Sequence, residues 1–208
     1  MRSSRPIPGS RWPHEMTITV VDDPHALLEL LWLRERWGLR LDIAAPPPLR
    51  APPAPAPPET RRAEPVEAWQ DAWPEIWDGA LAHATTPHEP PDFERIGTLP
   101  DLERQALLQR LIGPSWRDRF GDAGLEGYDL WSAQHLRGIV EGHRAGGSPE
   151  HDVVDALVRA WREGLLIVVT VPVRGELWQR VGSNGMLIAD ATRADRESYA
   201  AALRRFAG

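Results

Sequence analysis

The sequence predicts an α+β (mixed α/β) fold: a small three- to four-stranded sheet around a buried strand at 165–173, covered by five or six helices. Three observations predict it. Leu165 to Val173 (LLIVVTVPV) is β-branched and apolar on both faces, the pattern of an interior strand. Glu176–Val181 and Met186–Ala191 flank Gly182-Ser183-Asn184-Gly185, a hairpin signal. The remaining apolar residues recur mostly at helical spacing, in segments bounded by Gly and Pro.

Met16 to Val21 reads as a first strand. Asp23 is placed to cap the next helix, with Pro24 at its first position. That helix, His25 to Trp37, carries Leu27, Leu28, Leu30, Leu31, Trp32, Leu33 and Trp37 around most of its girth, and Gly38 ends it. Such a helix must be covered, by this chain or by another molecule. In Ala44–Pro65, nine of 22 residues are Pro. Backbone so poor in N–H donors favours polyproline II, and at about 3.1 Å per residue it would reach roughly 65 Å. The expected organisation is a disordered basic tail (1–15), a strand–helix unit docked on the main domain (16–43), a proline-rich tether (44–65) and the main mixed α/β domain (66–208).

After the tether, Val66 to His83 is helical, with Trp69, Trp73 and Trp77 recurring every four residues as a slowly turning stripe. Pro74 predicts a kink or a break there. Helices follow over Pro100–Ile112, with Leu102, Leu107, Leu108 and Leu111 inward, and over Asp129–Arg144, broken by Gly146-Gly147. Ser148 and Pro149 start another, with Val153, Val154, Leu157 and Trp161 on one face. Thr192 and Asp195 form a capping pair for the last helix, which turns Tyr199, Leu203 and Phe206 inward.

Composition excludes several chemistries. With no Cys there is no thiolate nucleophile and no Cys-based metal site; a reducing, cytoplasmic setting is expected. All 24 basic residues are Arg, which removes Schiff-base and phosphate-loop lysine chemistry. The longest apolar run is strand-sized, and the first fifteen residues lack the apolar core of a secretory leader. The net charge of −6 falls mainly on 66–208, which disfavours nucleic acid as a partner.

Candidate sites are few. His135, His143 and His151 with Asp152 are the metal candidates, since imidazoles and a carboxylate can hold a divalent ion and activate its water. The His151-Asp152 doublet resembles that of the HD-type phosphohydrolases, over this one dipeptide. Asp152 and its neighbours also open a helix, where carboxylates are expected for dipole reasons alone. His83, His88 and Glu89 lie on a Pro-rich loop that rules out a helical zinc motif. Asp22-Asp23-Pro24-His25 places carboxylates at the carboxyl end of a strand, where open α/β sheets hold ligands. No Gly-x-Ser-x-Gly elbow occurs, and GDAGLEG (121–127) does not follow a strand.

The sequence thus suggests a non-catalytic protein-binding or regulatory module that needs no cofactor. It would engage another protein through Trp69, Trp73, Trp77, Trp32 and Trp37, or through the proline tether. The rival expectation is a metal-dependent hydrolase using His135, His143, His151 and Asp152.

Overall fold

The computed structural model describes residues 11–41, 45–87, 99–145 and 148–208. Its centre is a four-stranded sheet in the order β1-β2-β4-β3, formed by β1 (Thr19–Val21), β2 (Ile167–Val171), β3 (Trp178–Val181) and β4 (Gly185–Ala189). β1, β2 and β4 are parallel, and β3 closes the edge as the antiparallel arm of the hairpin. β2 is buried at every position, as its sequence demands.

Alternation along the strands divides the core in two. Ile167, Val169, Val171, Leu187 and Ala189 face one layer; Val168, Met186 and Ile188 face the other. The first layer takes its helical side chains from α1 (His25–Trp37), α3 (Val66–Ala84), α5 (Trp116–Phe120) and the start of α6 (Tyr128–Ala145); α2 (Pro58–Ala63) and α4 (Asp101–Ile112) lie between them in the chain. The second takes its helical side chains from α8 (Val154–Arg162) and α10 (Arg196–Ala207), each preceded in the chain by a short helical turn, α7 (Pro149–Asp152) and α9 (Asp190–Ala194). The fold is therefore mixed α+β, with helices on both faces of a small sheet. No helix among the described residues is long and apolar enough to cross a membrane.

α1 is covered all round, with Leu27, Leu28, Leu30, Leu31, Trp32, Leu33 and Trp37 all in the first core. α3 runs unbroken through Pro74, so of the expected kink or break the break is absent. Packing on both sides of the proline offsets its missing N–H: Trp73 donates its indole N–H to the Leu30 carbonyl (2.8 Å) and stacks on Trp77. The Gly-rich loop at 121–127 is a packing element. A Cβ at Gly124, which has φ 77°, would stand 3.0 Å from both Trp37 and Trp69.

Other expectations shift locally. Asp23 is not the cap of α1; Pro24 holds that position, and its carbonyl accepts from Leu28 N–H (3.0 Å). The helix expected from 149 divides at Val153, whose φ of −120° and ψ of 21° leave the helical region. The last helix is capped by Asp195 alone, which accepts from Ser198 N–H, because residues 190–194 already form a separate turn. Leu102 is 81% exposed rather than inward, and the side chain of Leu108 lies outside the described residues.

The Pro-rich stretch is extended, but it lies on the domain. Leu49 is fully buried and bridges to Val173, with Arg50 N–H donating to the Pro172 carbonyl (2.8 Å) and Arg174 N–H to the Pro48 carbonyl (2.8 Å). Ala56 N–H donates to the Arg36 carbonyl (2.7 Å). Pro58–Ala63 forms a helical turn, with proline at its start, where a missing N–H costs nothing. Of the basic tail, 1–10 lie outside the described residues. Trp12 packs against the second core and Arg11 pairs with Asp155.

Candidate functional site at the carboxyl end of the sheet

Strands β2 and β4 end side by side at Val171 and Ala189, and β1 ends two residues earlier, with Val21 opposite Val169. On the face toward α8 and α10, each continues its alternation into a polar or loop residue just past its last core side chain. β1 runs from Val20 to Asp22, β2 from Val168 to Thr170 and Pro172, and β4 from Ile188 to Asp190. Core side chains stop there, so the sheet's carboxyl edge becomes the polar floor of a crevice of about 460 Å³. Open α/β sheets hold their ligands at this edge.

Two elements make the walls. α6 lies along one side, presenting Gln134, His135, Gly138, Ile139 and Gly142. Its first turns are tied to the domain: Tyr128 is fully buried against Trp32, and the Trp131 indole N–H donates to the Ala51 carbonyl (2.8 Å). On the other side Arg50, carried by the Pro-rich stretch, forms an ion pair with Asp190.

Beneath the floor is a buried ionic network. Arg193 grips Glu150 with two bonds, Nε to Oε1 (2.8 Å) and Nη2 to Oε2 (3.0 Å). The Tyr199 hydroxyl donates to Oε1 (3.2 Å) and the Ser148 hydroxyl to Oε2 (2.6 Å). Burial works against the ionised carboxyl, yet the Arg193 and Ser148 bonds outweigh it and hold Glu150 below its ordinary range. Burial likewise opposes the Arg193 charge, and Glu150 more than restores it. The pair thus stays ionised and fixes the crevice wall.

His135 stacks on Trp131 with ring centroids 5.6 Å apart. Burial pushes its pKa down, partly countered by Asp23 and Asp190, so the ring is neutral at neutral pH. Its Nε2 is buried with no hydrogen-bond partner among the described residues.

A second cluster joins α1, α5 and α6 on the far side of the β1–α1 turn. Glu29 is fully buried; its Oε1 accepts from Arg117 Nε (2.7 Å) and lies 3.2 Å from His25 Nε2. His25 Nδ1 meets the Tyr128 hydroxyl at 3.3 Å. The bond to Glu29 raises the His25 pKa, against the opposing effect of burial. This relay locks α6 against α1 and so sets the crevice wall.

The structure disperses the metal candidates. His135 lies in the crevice, whereas His151 packs beside Trp12 (5.7 Å between centroids) and Asp152 is exposed on α7. The side chain of His143, together with His88 and Glu89, lies outside the described residues. Among the described residues no group of three His, Asp or Glu side chains is placed to hold a metal ion. Trp69, Trp73, Trp77, Trp32 and Trp37 are all core residues, packed on one another and on Trp116 and Tyr128. Of the crevice residues, Asp22 was marked by sequence through its place after a strand, and His135 as a metal candidate. Arg50, Thr170, Asp190 and Arg193 carried no signal that separates them from solvated or core positions.

Fold and crevice define an α+β protein with a polar cavity at the carboxyl edge of a parallel sheet. No protein-family model, no curated protein and no solved structure matches the chain.

Proposed function

We propose that this chain is a binding protein that receives a small polar molecule in the crevice above Asp22, Thr170 and Asp190. One observation carries the reading: three adjacent parallel strands each end their core alternation at the floor of the same cavity. Its size suits a single small ligand, for which cavities of about 300–1,000 Å³ are usual. Isothermal titration calorimetry on the full chain, with an uncharged sugar, an amino acid, a nucleoside, a polyamine and inorganic phosphate, tests it. At least one should bind, and Asp190→Asn combined with Arg50→Ala should weaken it. A chain that responds to none of them refutes the proposal.

A second reading, binding of a protein partner, rests on the outer face of α6, where Leu130, Leu136 and Val140 are exposed. The buried tryptophans do not contribute to it, because their faces are already filled. Photo-crosslinking from position 136 should trap a protein there, and Leu136→Glu should abolish the crosslinked product made from position 140.

A further inference from the structure

We propose that the crevice takes an uncharged polyhydroxylated ring, a free sugar or the ribose of a nucleoside, laid against the bare α6 backbone at Gly138 and Gly142. The proposal rests on the reading of the crevice as a ligand site and adds the chemical class and the residues that admit it.

Gly138 and Gly142 lie one turn apart on the crevice wall, on the same stripe of α6 as His135. Glycine is the poorest helix former after proline, so a pair inside one helix calls for a reason. Backbone conformation is not the reason, since neither has a positive φ. Close packing is not the reason either. A Cβ built at either position meets no atom within 4 Å among the described residues. Gly124, by contrast, is packed against two indoles. What the two glycines leave is open space and a smooth strip of backbone along the cavity, room that methyl groups would take from an occupant.

The opposite surfaces define what the occupant presents. Asp22 and Asp190 offer acceptors, Arg50 offers donors, and Thr170 offers both. A hydroxyl donates and accepts at once, so a vicinal diol satisfies a carboxylate and a guanidinium side by side. A phosphate would face two carboxylates, Asp22 and Asp190, with both nearby guanidiniums already paired. A polycation would meet those same guanidiniums. The buried, unpartnered Nε2 of His135, one turn before Gly138, adds another polar group to this wall.

Isotope-labelled full-length protein titrated with glucose, myo-inositol and adenosine, and separately with inorganic phosphate and spermidine, tests the inference. The hydroxylated probes should shift the amide signals of Gly138, Gly142 and Thr170. Adenosine binding that 2′-deoxyadenosine lacks assigns a ribose; glucose or inositol binding assigns a free sugar. The Gly138→Ala/Gly142→Ala double variant should melt a few degrees higher and bind the same probe at least ~10-fold more weakly. Crevice shifts with phosphate or spermidine but not with diols overturn the ligand class and leave the crevice as a binding site. Equal affinity in the double variant, or a lower melting temperature, overturns the role of the glycines. If no probe moves these amides the inference falls, and the binding function falls with it when an amino acid also fails to bind.

Discussion

Replacing Glu150 by Gln removes the charge that holds Arg193 beneath the crevice. Both side chains are largely covered, 8% exposed for Glu150 and 14% for Arg193, and the bonds are bidentate. Breaking such a pair leaves a buried guanidinium uncompensated, a loss of about 3–5 kcal/mol in fully enclosed sites. Here the network borders a cavity open to water, so about 2–3 kcal/mol is expected. For a chain of this length that lowers Tm by roughly 4–12 °C, at ~2–4 °C per kcal/mol. Urea unfolding at pH 7 measures it directly. Arg193→Met should rescue much of the loss in the double variant, since it removes the orphaned charge.

Acid titration adds a second readout. The folded-state pKa of Glu150 is lowered from its ordinary value of 4.5, so its contribution is present above that value. It is lost as pH falls through the depressed folded value, and the gap between wild type and Glu150→Gln should narrow there. A gap below ~1 kcal/mol at pH 7, or one that persists through the acid limb, would refute this account of the network.

Three other outcomes are expected. His25→Asn should remove a stabilisation that wild type shows in full below pH 6.5 and loses as pH rises through the elevated His25 pKa; denaturation curves from pH 6 to 8 check the sign. Leu49→Ala should cost about 2–5 kcal/mol, the range for a buried leucine, and expose the 45–57 stretch to proteolysis; a loss under ~0.5 kcal/mol would mean that stretch stands off the domain. Trp73→Phe should cost at least ~1 kcal/mol through the lost bond to the Leu30 carbonyl, read from the shift in urea midpoint at constant slope.

Periodicity and turn residues were enough for the strands and the long helices, though not for the short turns at 58–63 and 190–194 or the division at Val153. β2 is unmistakable because its five residues, Ile167–Val171, are all β-branched and all but Thr170 apolar, with no polar face to show water, and the hairpin after it is marked by its turn residues. α1 had to be covered because its apolar residues circle the helix. These are local properties, since the side-chain alternation of a strand and the stripe of a helix are written in consecutive residues.

Which element covers which, and what the crevice is made of, was decided only by the tertiary structure. Asp22, Arg50, His135, Thr170 and Asp190 come from five separate segments, and nothing in any one segment announces the others. The tryptophans illustrate the converse. Their number suggests a binding surface, yet whether an indole faces a partner or a neighbouring helix depends on what chain closure brings opposite it. Proline content likewise set the backbone of 45–57, extended and poor in donors, while Leu49 finding room beside Val173 determined that it lies against the sheet. Local sequence specifies conformation through steric and hydrogen-bonding preferences of a few residues; the site arises where distant segments meet, and that is a property of packing.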